Sequence, residues 1–192
     1  LDESKIGEEK EINIMFVMDD SGSMYPLDMC EGSTESDVDF KRLDLVNDLA
    51  KKFDDNVNLG LASFTADYML QCDMGATDEE IYAATEAIKN NEERNFNGTH
   101  ILKSLDAALD TEKFKSDAAN YIILLTDGAT TESSWDLVFA PYSKDSIKSE
   151  AKDKNVTIIS IGLGSYVDVE FLTDFTNATN GLYAYANNAD AL

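Results

Sequence analysis

Two periodicities take turns along this chain. Runs rich in β-branched or aromatic residues at 12–18, 57–64, 121–126, 156–163 and 182–186 read as strands. Between them lie stretches with helical spacing: Val38, Leu45, Val46, Leu49 and Phe53; Ile81, Ala84 and Ile88; Ile101, Leu105, Ala108 and Leu109; Ile147 and Ala151; Phe171, Leu172 and Phe175. Strand followed by helix, repeated, calls for right-handed crossovers and a mainly parallel sheet sandwiched by helices. The expectation is a doubly wound α/β domain. Residues 68–74 follow Phe64 after only Thr65-Ala66-Asp67, too short for a crossover, so they should turn back as an antiparallel edge strand. Thr77 followed by Glu80 has the capping-box form, and Lys152 and Lys154 stand where a helix should end, suiting its dipole.

Charge narrows the partners. Of 192 residues, 38 are Asp or Glu and 15 are Lys or Arg, a net charge of −23, so a polyanion would be repelled over most of the surface. Nucleic acid and anionic membrane surfaces are therefore poor partners. The longest apolar runs, 14–18 and 121–125, fall far short of the roughly 20 residues of a spanning helix, so direct membrane insertion is not expected. The chain opens without Met and without a charged-then-apolar leader, as expected for a processed or excised piece of a longer protein. Residues 1–10 read as an N-terminal extension and 11–192 as one domain.

Two cysteines, Cys30 and Cys72, and a single histidine, His100, cannot assemble a zinc site of the usual Cys/His kind. A Cys30–Cys72 disulfide is left open, and would stabilise by about 4 kcal/mol on loop entropy if the geometry allowed it.

In doubly wound sheets, ligands sit where loops leave the carboxyl ends of the strands. After the first strand comes Asp19-Asp20-Ser21-Gly22-Ser23-Met24, and alternation turns Asp19, Ser21 and Ser23 the same way. Short oxygen-bearing side chains on one turn suit a hard divalent cation, but Ser and Asp also favour helix starts, so the turn alone supports either reading. Two more loops bring oxygen to the same edge: Asn97-Gly98-Thr99 ahead of a helix, and Leu124-Leu125-Thr126-Asp127-Gly128 at the end of the central strand.

At these residues the chain resembles the von Willebrand factor A family. Its metal-ion-dependent adhesion site has the pattern Asp-x-Ser-x-Ser, then a Thr, then an Asp, matched here by Asp19, Ser21, Ser23, Thr99 and Asp127. The resemblance implies a sheet of order 3-2-1-4-5-6 with the third strand antiparallel. It further implies a cation at the carboxyl edge, held by the two Ser and the Thr through hydroxyls and by the Asp residues partly through water. Mg²⁺ or Mn²⁺ suits such a cage, with Ca²⁺ also admitted. Three neutral hydroxyls leave the ion's charge partly uncancelled, so an open position would take an Asp or Glu carboxylate of a protein partner.

The resemblance thus implies cation-dependent protein binding and not catalysis, while the acidic charge, the open disulfide and the opening without Met lean toward a larger secreted or cell-surface protein. Around the site, the loops 25–36 and 129–143 look long, and Tyr25 and Trp135 are candidate partner-binding rim residues, although Trp135 could equally pack under its own loop. The acidic run Asp28, Glu31, Glu35, Asp37 and Asp39 reads as a solvated helix entry, and His100 as structural.

Two other classes compete. An assembly module inside a multi-subunit machine would use the same fold. A Mg²⁺-dependent phosphotransfer enzyme would want a Lys after a late strand, where 161–166 has none, or Asp-x-Asp, where Ser21 replaces the second Asp. Gly162-x-Gly164 lacks the rest of a dinucleotide fingerprint.

Overall fold

A computed structural model describes residues 10–54, 56–112, 114–133 and 137–192. The strands are β1 (Ile12–Asp19), β2 (Val57–Phe64), β3 (Tyr68–Ala76), β4 (Ala119–Thr126), β5 (Val156–Leu163) and β6 (Tyr183–Ala186). The α-helices described are α1 (Lys41–Ala50), α2 (Asp78–Lys89), α3 (Ile101–Leu109), α4 (Lys144–Asp153) and α5 (Val169–Ala178), with 3-10 turns at Gly22–Met24 and Ala189–Ala191. The six strands form one sheet of order β3-β2-β1-β4-β5-β6. All neighbours are parallel except β2 and β3, whose antiparallel pairing is interrupted by bulges beside Leu61.

Alternation along β1 builds two cores. Met15 and Val17 face one side, where they join Ile122, Leu124 and Ile158 under α3, α4 and α5 through Ile101, Leu105, Ile147, Phe171 and Phe175. Ile14, Phe16 and Met18 face the other side, where Leu59, Leu61 and Leu125 meet Leu43, Val46, Ile81 and Ile88 of α1 and α2. β1 is buried from Asn13 onward because it lies between β2 and β4 with helices on both faces. β4 and β5 alternate buried with half-buried positions, less covered than their apolar sequences suggest.

Local signals hold at several ends. Thr77 and Glu80 form a reciprocal capping box on α2, and α4 ends at Asp153 with Lys152 in its last turn. The start of α1 differs from expectation. Val38 precedes the helix and is exposed, because Phe40 adopts a left-handed conformation (φ 58°) that starts the helix only at Lys41.

Candidate functional site

The carboxyl ends of β1 and β4, central neighbours in the sheet, bring Asp19 and Asp127 to one place. Asp19 is completely buried at the end of β1. Its Oδ1 accepts from the Ser21 amide at 2.8 Å, and its Oδ2 accepts from the Thr126 hydroxyl at 2.5 Å. The chain then tightens into the 3-10 turn, which sets Ser21 Oγ and Ser23 Oγ 3.1 Å apart. Ser23 Oγ donates to Asp127 Oδ1 at 2.7 Å. Glycine is required inside this turn: a Cβ on Gly22 would lie 2.3 Å from Cys30 Sγ and 3.1 Å from Phe96 Cβ.

Thr99 arrives from a third loop, just ahead of α3. Its amide donates to Thr131 Oγ1 at 2.7 Å and its carbonyl accepts from the Thr131 amide at 2.9 Å, while the Thr130 hydroxyl, 3.1 Å from that carbonyl, donates to Glu132 Oε2 at 2.7 Å. The buried Glu132 carboxylate fastens the same segment by accepting from the Leu102 and Lys103 amides at 2.8 and 2.9 Å, a negative charge on the positive end of α3. Thr99 therefore hydrogen-bonds through its backbone among the described residues. It lines a cavity of about 320 Å³ together with Ser21 and Ser23. His100 serves as the N-cap residue of α3, its amide bonded to the Thr65 carbonyl at 2.8 Å.

The electrostatics of this cluster are unbalanced. Burial, and then the charge of Asp127, push the Asp19 carboxyl up to about 7, against the hydrogen bonds from Ser21 and Thr126. Among the described residues neither Asp19 nor Asp127 forms an ion pair. The buried Arg42 is committed next door, to Asp20 at 2.7 Å and Asp37 at 2.8 Å. Burial works against the Arg42 charge, but Tyr25, Asp20 and Asp37 together raise its pKa. A buried carboxylate pair without a countercharge, ringed by Ser and Thr oxygens, suits a hard divalent cation. Among the described residues no group of three or more His, Cys, Asp and Glu could hold a metal, so any ion here relies on hydroxyl oxygen.

Thus Asp19, Ser21, Ser23, Thr99 and Asp127 come together. Tyr25 does not belong to a rim. It is completely buried, its hydroxyl donating to Asp20 Oδ1 and its ring packed against Phe40 and Phe96 with Arg94 4.6 Å from its centroid. Burial pushes its phenol up to about 12. Trp135 lies outside the described residues. Asp37 is likewise no solvated residue: it is 1% exposed and caps α1 by accepting from the Lys41 and Arg42 amides. Cys30 and Cys72 are free thiols in separate settings. Cys30 lines the cavity beside Ser23, and Cys72 lies on β3 with its thiol directed to the Glu80 carbonyl at 3.5 Å.

Sequence reasoning passed over Thr126, Thr34 and the Thr130-Thr131-Glu132 clasp. Thr126 stood inside a motif already singled out, whereas Thr34 and the clasp sit in loops without periodicity.

A doubly wound sheet with hydroxyls and two aspartates converging at its carboxyl edge defines a class of ligand-binding α/β domain. The profile of the von Willebrand factor type A domain matches residues 13–192, and the chain belongs to that family. Members are known for protein–protein interaction and metal-dependent binding, and are generally interaction modules and not enzymes. No curated protein matches the sequence.

Solved structures share the fold. An aerotolerance-related membrane protein from Bacteroides fragilis, solved with multiple mutations to serines, aligns with a TM-score of 0.68 and 15% identity, covering 93% of each chain. A von Willebrand factor type A protein from Catenulispora acidiphila aligns at 0.69 and 18% identity, over 94% of this chain and 40% of that one. Proximal thread matrix protein 1 from the mussel byssus, solved with a zinc-occupied metal-ion-dependent adhesion site, aligns at 0.67 and 19% identity, over 93% of this chain and 42% of that one. The chain thus spans less than half the length of the latter two proteins.

Proposed function

We propose that this domain binds a protein partner through a divalent cation held at the carboxyl edge of the sheet. The observation that carries the reading is the buried Asp19–Asp127 pair, which lacks a countercharge among the described residues and adjoins the hydroxyls of Ser21 and Ser23. Ser21, Ser23 and Thr99 would hold the ion through hydroxyl oxygen, with Asp19 and Asp127 supplying the negative charge. The ion, when bound, supplies an open position for an Asp or Glu carboxylate of the partner.

The residues of this chain prepare that event in three ways. The 3-10 turn fixes the two serines, the Thr130-Thr131-Glu132 clasp fixes Thr99, and the Thr126 hydroxyl orients Asp19. Mg²⁺ or Mn²⁺ suits the oxygen set, with Ca²⁺ admitted, and the zinc-occupied site of the mussel protein makes Zn²⁺ a fourth ion to test. The strongly acidic surface fits an exported or cell-surface protein. The two free thiols favour a second reading, an assembly module in a reducing compartment, since no disulfide supports export.

Thermal melts with Mg²⁺, Mn²⁺, Ca²⁺, Zn²⁺ or chelator test the cation, because an ion at 100 times its dissociation constant stabilises by about 2.7 kcal/mol. The wild type should melt higher with at least one ion, and Asp19→Ala and Asp127→Ala should lose that rise. Binding of Asp-bearing peptides, with their Asn counterparts as controls, should then require the same ion. A wild type indifferent to every ion, or an Asp19→Ala variant that responds normally, would overturn the assignment.

A further inference from the structure

The long loop after β1 folds back onto the candidate cation site. The Ser36 amide donates to the Ser23 carbonyl at 3.1 Å, and the Asp37 amide to the Met24 carbonyl at 3.1 Å, which lays Ser33, Thr34 and Ser36 beside the serine turn. Thr34 Oγ1 lies 3.2 Å from Asp127 Oδ2, 3.1 Å from the Ser23 carbonyl and 2.7 Å from Ser36 Oγ.

A hydroxyl has one proton to give. The Ser23 carbonyl already has a backbone donor in Ser36, and Ser33 Oγ lies 3.0 Å from it as well. The carboxylate of Asp127 attracts a donor more strongly than a carbonyl does. The Thr34 proton therefore goes to Asp127, while the Ser36 hydroxyl donates to Thr34. Asp127 is then gripped through both oxygens, by Ser23 on Oδ1 and by Thr34 on Oδ2.

We propose that Thr34 is a further positioning residue of the cation site, one that fixes the Asp127 carboxylate and makes cation affinity depend on the loop after β1. The proposal rests on the cation reading above. Its physical content is that of groups behind metal ligands generally, whose loss costs about 10- to 100-fold in metal affinity. Because Thr34 is exposed and its loop is anchored independently by the Ser36 and Asp37 amides, removing one hydroxyl should spare the fold.

The test compares wild type, Thr34→Val, Thr34→Ser and Asp127→Ala by calorimetric titration with Mn²⁺, together with melting in chelator. Thr34→Val, which keeps the shape and loses the hydroxyl, should bind Mn²⁺ about tenfold more weakly while its melting temperature in chelator matches wild type. Thr34→Ser, which restores the donor, should return to within about twofold of wild type. Wild-type affinity in Thr34→Val overturns the proposal while leaving the cation site intact, provided Asp127→Ala has lost binding. If Thr34→Val melts lower in chelator and Thr34→Ser does not recover affinity, the loss comes from packing of the loop and not from the hydroxyl, and the proposal fails. Should wild type and Asp127→Ala both ignore Mn²⁺, the cation reading fails and takes this one with it.

Discussion

Asp19 shows how one side chain couples burial, charge and ligand. An ordinary Asp titrates at 3.8, whereas Asp19 sits at about 7, first because it is buried and second because Asp127 is close. Between those two values the folded state holds more protons than the unfolded one, so the contribution of Asp19 to stability falls as pH rises through that window. In chelator the wild type should therefore melt higher relative to Asp19→Asn at pH 5.5 than at pH 8 (both values set about that window). Equal differences at both pH values would show that Asp19 titrates like an exposed carboxylate. That these five residues would meet at one edge was legible in their oxygen chemistry and placement, Asp19, Ser21, Ser23 and Asp127 lying at or just after strand ends and Thr99 leading into α3. Tyr25 was misread for a physical reason: its phenol hydroxyl found Asp20 and Arg42, so an aromatic beside a binding loop became part of the core.

At the scale of elements, β1 owes its register partly to a buried amide ladder. The Asn58 side-chain amide donates to Asn13 Oδ1 at 2.9 Å, and the Asn13 amide donates to Asn120 Oδ1 at 2.9 Å, linking β2, β1 and β4 at matched positions. Asn120 continues the ladder to the Lys115 and Lys154 carbonyls, both at 2.7 Å. Asn13→Ala would leave buried partners unsatisfied and should cost about 1–3 kcal/mol in denaturant unfolding, with the larger loss expected at this central strand. A change below about 0.5 kcal/mol would mean that strand packing alone holds the register.

The strands themselves were readable from β-branched runs, and α2 from its capping box, because in both cases local propensity agrees with the packed structure. The amide ladder was not readable, since a lone Asn in an apolar strand carries no sign of its partner more than a hundred residues away. The entrance to α1 was misjudged because Asp37 looks like any other member of an acidic run. Only the folded neighbourhood, with Arg42 2.8 Å away, separates it from the solvated carboxylates beside it.

For the whole molecule the dominant quantity is the net charge of −23, carried by a single six-stranded sheet and its helices. Self-repulsion of that size opposes compaction, and salt relieves it as the screening length shrinks from about 30 Å at 0.01 M to about 3 Å at 1 M. In chelator, the melting temperature should rise as KCl is increased over that range. A flat or falling profile would show that the ion pairs, which salt weakens, outweigh the repulsion.

The oxygen atoms at the sheet edge enter the chain at Asp19, Thr99 and Asp127, with α1, β2, β3 and α2 between the first two and α3 and β4 between the last two. If the proposed cation is held there, a polypeptide released before Asp127 would supply only part of the oxygen set, and a protease nick that displaced any one loop would weaken the grip on the ion. Retention of metal would thus report that β1, β4 and the crossovers between them had come together, a check on assembly available before any partner arrives.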